Sequence, residues 1–326
     1  MTKNYAGIDL GSNSCKLLIC NEKGKKLCIK NYPTRLAEGL HENNVITDAA
    51  IERGQQCFFE YRQLLDKYGV EPQNMRAITT AACRTAENGA DFVKKIYDES
   101  HIKLEIIDGL EEAKLNLKGA MEHVRGKSNY VVVYDLGGAS TEVTLATNAD
   151  KPDIIYSVSI PWGARNSSEA FNLVEYDKKS ADALQKEIDG YMDDFLQKSN
   201  LSNCEDVCFV ATSSSPLRLV SMINEFGEYD RERADGLKMS KPQMDKAIEE
   251  ILKAKREDLA SNPYVGDKRS YIFIAACVIF KTIYDRLGLS EVTASLKSAK
   301  DGIVAELIER DNISKEVLRG KNGKTY

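Results

Sequence analysis

No apolar run in the chain is long enough to cross a bilayer. The cleanest, Tyr271 to Phe280, is about half of the ~20 residues a spanning helix needs. Asp9 interrupts the first apolar run before it can form a signal-peptide core, so the chain is expected to stay in the cytoplasm. Positive charge is not in excess either. With 45 Lys and Arg against 50 Asp and Glu, the formal net charge is −5, which argues against a sequence-independent grip on nucleic acid. A locally positive cleft for a polyanionic small molecule remains open. Basic residues do cluster at Lys23, Lys25, Lys26 and Lys30, and again at Arg319, Lys321 and Lys324. A solvated face and a frayed tail are the plain readings of these clusters. Three histidines leave little room for His-rich metal chemistry. The eight cysteines form no C-x-x-C pair, and Cys204 and Cys208, spaced i, i+4, lack a second pair; reduced, mostly buried thiols are expected. Walker and Rossmann glycine patterns are missing, and Gly138-Ala139-Ser140-Thr141-Glu142 is no nucleophile elbow, because its last position is glutamate.

What is present is an ordinary globular composition, 42% hydrophobic and 29% charged over 326 residues, enough for about two domains. An internal echo organises it. Asn4-Tyr5-Ala-Gly-Ile-Asp9-Leu-Gly-Ser-Asn-Ser14 precedes the apolar run Cys15–Cys20. Asn129-Tyr130-Val-Val-Val-Tyr-Asp135-Leu-Gly-Gly-Ala-Ser140 precedes Thr141–Ala146. Each copy reads as strand, Asp-Leu-Gly turn and strand, and the turn's N–H groups can converge on an anion. Two such turns suggest related halves facing each other across a phosphate.

Helical stripes and short strands alternate through the rest, which indicates an α/β fold. Ile51, Phe58, Tyr61, Leu65 and Tyr68 mark one helix, with Thr47 or Asp48 as cap and Gly69 as stop. Leu184, Ile188, Tyr191 and Phe195 mark a second, and Met244, Ile248, Ile251 and Leu259 a third. Strands are expected at 76–79, 104–107, 154–160 and 207–211, and a hinge near 123–128.

Asp108, with Glu111 three residues on, reads as a capping box, which would occupy Glu111 and leave Glu112 free about 100° further round the helix. A carboxylate in a first turn suits a general base for water; mere complementation of the helix dipole is the alternative. Arg84 follows a strand and suits phosphate by its bidentate fork, or else makes a surface ion pair. Thr212 to Ser215 follow another strand and offer hydroxyls, or form a plain polar turn.

Together these segments resemble the exopolyphosphatase / guanosine pentaphosphate phosphohydrolase (Ppx/GppA) family of the actin–Hsp70–sugar kinase superfamily. Asp9–Ser14 and Asp135–Glu142 look like its two phosphate loops, Thr79–Arg84 and Gly109–Ala113 its intervening motifs, and Pro161–Ala164 and Arg269–Gly302 continue the likeness. The resemblance implies two actin-like (ribonuclease H-like) α/β domains with the active site in the cleft between them. The division expected is 1–124 and 125–300, with a helix over 301–326 packing back on the first domain. It further implies a hydrolase of phosphoanhydride bonds, dependent on Mg2+ or another divalent cation, acting on polyphosphate or guanosine pentaphosphate. Nucleic acid and membrane are not expected partners, and a homodimer is compatible with the sequence.

By position, Glu112 matches the catalytic base, Arg84 the phosphate-binding arginine and Glu142 a second carboxylate beside the attacked phosphate. Asp135 and Asp9 match the carboxylates near the metal. Gly11, Ser12, Asn13, Ser14, Gly137, Gly138, Ala139, Ser140 and Thr141 match phosphate contacts. Ala139 replaces a glycine; were that position left-handed, the alanine would cost on the order of 1–2 kcal/mol. The usual Gly-Thr-Ser-Gly-Thr reads Ala211-Thr-Ser-Ser-Ser215, Arg-Ala-Asp reads Arg269-Ser-Tyr271, and Arg-Glu-Gly reads Lys300-Asp-Gly302. Two alternatives remain open. The Gly-Gly-Ala-Ser loop mildly favours a nucleoside triphosphate hydrolase, and the second-half departures favour a weakly catalytic polyphosphate or alarmone sensor. A kinase fits less well, because a glutamate at Glu112's position points to water as acceptor.

Overall fold

The strand–turn–strand echo becomes two sheets of the same plan. The computed structural model describes residues 3–149 and 151–322, the side chains of His41 and of 314–322 excepted. The expected tail beyond residue 322, Lys324 with it, and the side chains of Arg319 and Lys321 therefore lie outside what is described. In the first sheet, β1 (Asn4–Leu10), β2 (Cys15–Asn21) and β3 (Lys26–Tyr32) form an antiparallel meander. β4 (Met75–Thr79) and β5 (Leu104–Ile106) extend it in parallel from β1, giving the order β3-β2-β1-β4-β5. The second sheet repeats this with β6 (Tyr130–Leu136), β7 (Thr141–Thr147), β8 (Ile154–Ile160) and parallel β9 (Val207–Thr212). Two further strands, β10 (Lys238–Ser240) and β11 (Glu291–Ser295), complete the order β10-β11-β9-β6-β7-β8. The registers match too: Asp9 pairs with Lys16 across the first turn, and Asp135 with Glu142 across the second.

The helices follow their apolar stripes. The helix Asp48–Lys67 starts where the Thr47 side chain accepts a hydrogen bond from Ala50 N, and Gly69 follows it at φ +60. The stripe from Leu184 to Phe195 lies on the helix Lys178–Ser199. The third expected stripe is broken. Met244, Ile248 and Ile251 belong to the helix Lys241–Lys253, whereas Leu259 belongs to a separate helix, Arg256–Ser261. The chain turns extended at Ala254 (ψ 143), so the eight-residue step from Ile251 to Leu259 joins two elements rather than one.

The helix Gly109–Ala120 is the wedge between the halves. Leu115 packs with Tyr5, Leu18 and Ile78 of the first sheet and with Ile303 and Leu307 of the C-terminal helix Ala299–Asn322. Leu117 and Ala120 pack instead on Val131, Val133 and Val210 of the second sheet. The close crossing with the C-terminal helix is made possible by glycine. A Cβ at Gly302 would lie 2.1 Å from Leu115 O, and one at Gly119 2.3 Å from Ser298 O. Among the described residues no helix is long and apolar enough to cross a membrane.

Candidate active site

The turns after β1 and β6 close alike. Gly11 N donates to Ser14 O at 3.1 Å, and Gly137 N to Ser140 O at 2.9 Å. Carbonyl oxygens would repel an anion, and in both loops they are engaged by protein donors. Ser12 O and Asn13 O accept from Ala37 N and Arg35 N, each at 3.0 Å. Gly137 O accepts from Ala164 N at 3.0 Å, Gly138 O from Arg165 N at 2.8 Å, and Ala139 O from Asn166 Nδ2 at 3.0 Å. No acceptor among the described residues engages the N–H groups of Ser12, Asn13, Gly138 or Ala139. The loops thus present donors, the polarity a phosphate requires.

They also touch. A Cβ on Gly138 would lie 3.1 Å from Asn13 Cβ, and one on Gly163 only 2.5 Å from Ala139 N. Ala139 itself is not in the left-handed region, so replacing the glycine there carries no backbone strain. Strain falls at Ser213 instead, with φ 95 and ψ 178, a conformation that suits glycine.

Between the loops lies a cavity of about 160 Å3, lined by Asp9, Lys16, Glu112, Asp135, Glu142 and both loops. Asp108 caps the helix Gly109–Ala120 by accepting from Glu111 N at 2.8 Å. The Glu111 side chain does not close the box in return; it pairs with Arg76 Nη2 at 3.0 Å, because that guanidinium is within reach and binds a carboxylate more strongly than a backbone amide does. Glu112, 8% exposed, turns into the cleft, and its Oε2 is buried without a hydrogen-bond partner. Burial, then the charges of Glu142, Asp9 and Asp135, hold its carboxyl well above the usual range, with Arg84 opposing. Burial and then Asp135 push Glu142 up to about 7, although Ser159 Oγ donates to it at 2.9 Å. Asp135 is raised by burial against the pull of Lys16. Burial pulls Lys16 down, but Asp9, at 3.6 Å, and Asp135 outweigh it, and its ammonium is held above the ordinary value.

Some expected contacts fall elsewhere. Arg84 Nη1 donates to Ile107 O at 2.7 Å and stands 3.8 Å from Glu112, and the cavity lining includes Glu112 but not Arg84. The guanidinium sits beside the Glu112 carboxylate. Thr141 is fully buried and donates to Trp162 O at 2.7 Å, since its side chain points away from the turn at the start of β7. Ala139 packs its methyl on the core of the first half. Ser12, Asn13, Ser14, Gly11, Gly137, Gly138 and Ser140 do line the cavity.

Sequence reasoning missed Lys16, which lines the same cleft as Ser213 of the hydroxyl segment and Arg269 of the later motif. Aligning the two echoes would have found Lys16, since it occupies in the first copy the register that Glu142 occupies in the second.

Two actin-like α/β halves, each contributing one donor-rich turn to a shared acidic cleft, define the architecture. The chain belongs to the Ppx/GppA phosphatase family, whose model matches residues 25–311. It is 29% identical over 337 residues to the bifunctional 3-dehydroquinate synthase/phosphatase of Fusobacterium nucleatum. That match covers 98% of the chain and 47% of the relative, so the chain spans about half the relative's length. Among solved structures it is similar to an exopolyphosphatase from Cytophaga hutchinsonii, with TM-score 0.84 and 19% identity over 94% of this chain and 98% of that one. It is likewise similar to an exopolyphosphatase-like protein, with TM-score 0.87 and 21% identity over 95% and 98% of the two chains. At such identities the structural likeness speaks for the fold.

Proposed function

We propose that the chain hydrolyses phosphoanhydride bonds, releasing terminal phosphate from inorganic polyphosphate or guanosine pentaphosphate. The observation that carries this reading is Glu112: a buried carboxylate with an unpartnered oxygen, facing two loops whose amide donors are free. The unpartnered Oε2 can accept a proton from a water, and burial together with the neighbouring carboxylates makes this carboxylate more basic than an exposed one. The loop N–H groups of Ser12, Asn13, Gly138 and Ala139 would bind and orient the phosphoryl oxygens. A loose phosphoryl-transfer transition state asks chiefly for such positioning and for charge neutralisation. Arg84, beside Glu112, opposes the rise of that carboxyl.

The donor set fits an oxygen-seeking cation. Among the described residues neither histidine nor cysteine lines the cleft. Among the described residues no group of three or more His, Cys, Asp or Glu forms a ready-made cage. Magnesium needs only one or two carboxylates, with phosphate and water completing its shell, and Asp9 and Asp135 would supply them. Bound there, it would offset the charge of the phosphate chain.

The test is phosphate release from polyphosphate, guanosine pentaphosphate and ATP, each with and without magnesium. Magnesium-dependent release from polyphosphate or guanosine pentaphosphate, faster than from ATP, supports the reading. Faster release from ATP moves the chain to the nucleoside triphosphate hydrolases. Binding without release from any of the three makes it a sensor.

A further inference from the structure

Arg165, the second residue of the helix Ala164–Ala170, touches both phosphate loops at once. Its backbone N donates to Gly138 O of the second loop at 2.8 Å. Its side chain, 14% exposed, reaches the other half of the molecule, where Nε and Nη2 both donate to Asn13 Oδ1 of the first loop at 3.2 and 2.8 Å. The remaining nitrogen, Nη1, stands 3.6 Å from Glu169. A guanidinium has donors only, so the Asn13 atom it grips must be the carbonyl oxygen. That fixes which way the carboxamide points. With Oδ1 committed, the polar group Asn13 has left is Nδ2, a donor without a partner among the described residues, on a residue that lines the cleft. The Asn13 main chain is held as well, through Arg35 N at 3.0 Å.

We propose that Arg165 is a positioning residue that clamps the first phosphate loop to the second and, through Asn13, presents the Nδ2 donor to a phosphoryl oxygen. This rests on reading the cleft as a phosphate site, though not on turnover. Arg165 itself need not touch the substrate. Its effect passes through Asn13, so the two residues act as one unit, and their substitutions should not add.

The experiment is a double-mutant cycle on the full chain in a Glu112→Gln background, which leaves the ligand intact. Tripolyphosphate with magnesium is titrated calorimetrically into Arg165→Met, Asn13→Ala, the double variant and Arg165→Lys. Each single change is expected to weaken binding by about tenfold, the scale of a strongly coupled pair, with the double no weaker than the poorer single. Arg165→Lys, with one compact cationic group in place of the fork, should recover only part of the loss. Additive losses in the double variant would overturn the proposal. So would an Arg165→Met protein that binds at lower stoichiometry with unchanged affinity, the signature of a merely structural role. If Arg165→Met does not fold, Asn13→Ala decides: wild-type affinity in that variant sinks the clamp. Failure of tripolyphosphate to bind the Glu112→Gln protein overturns the clamp together with the phosphate-site reading. Tight binding without phosphate release by the unsubstituted chain overturns the hydrolase reading alone.

Discussion

Glu112 Oε2 and Arg84 Nη1 stand 3.8 Å apart, close enough for charge attraction and too far for a hydrogen bond. The Glu112 carboxylate is therefore held near a cation while its Oε2 stays without a hydrogen-bond partner among the described residues. Glu112→Gln is expected to lower turnover by roughly 10²–10⁴ while tripolyphosphate affinity stays within a few-fold. Steady-state phosphate release and calorimetry check the two halves of this statement. Glu111→Gln is the control: it loses one half-exposed pair with Arg76, worth at most about 1 kcal/mol, and leaves turnover near the unsubstituted value. Arg84→Met removes the group that lowers the Glu112 carboxyl, so the acid limb of the kcat/KM profile should move to higher pH.

The acidic cleft makes stability depend on pH with a definite sign. Glu142 is raised from 4.5 to about 7, so the folded state binds its proton more tightly than the unfolded chain does. Its contribution is complete below 4.5 and is lost as pH rises through about 7. In metal-free buffer the melting temperature should fall between those values, and Glu142→Gln should flatten that slope. A slope that steepens in the variant would contradict the burial of this carboxyl.

Gly302 sits where the C-terminal helix crosses the helix that carries Glu112. A methyl there meets Leu115 O, a backbone atom that cannot swing aside. Gly302→Ala should destabilise the fold by about 1–3 kcal/mol or more, read from urea or thermal unfolding. It should also lower turnover, because the displaced helix carries Glu112.

Ser213 holds a glycine-like backbone with φ 95 in the cleft wall. Ser213→Gly should raise stability by about 1 kcal/mol through relief of that strain, less the extra freedom glycine brings to the unfolded chain. Equilibrium denaturation measures it, and a loss of stability would show that the added freedom of the unfolded chain outweighs the relief of strain.

Local chemistry was written in the sequence. The paired Asp-Leu-Gly turns, the Asp108 cap, the stripes from Ile51 and Leu184, and the free position of Glu112 each depend on residues within a few places of one another. Backbone preference and side-chain periodicity suffice to fix such features. What the tertiary structure decided lies across the chain. Glu111 turns to Arg76 instead of closing its box, Thr141 turns inward to Trp162, and Leu259 leaves the helix its spacing suggested. Arg165 grips Asn13 from the opposite half of the molecule. No periodic pattern announces such pairs, because they depend on where two separately folded halves come to rest against the wedge helix. That placement follows from the packing of Leu115, Leu117, Ala120, Gly119 and Gly302. The sequence by itself determined two glycine turns and a candidate base; only the packing of the halves brought them to one cleft, where burial and neighbouring carboxylates raise Glu112 and Glu142.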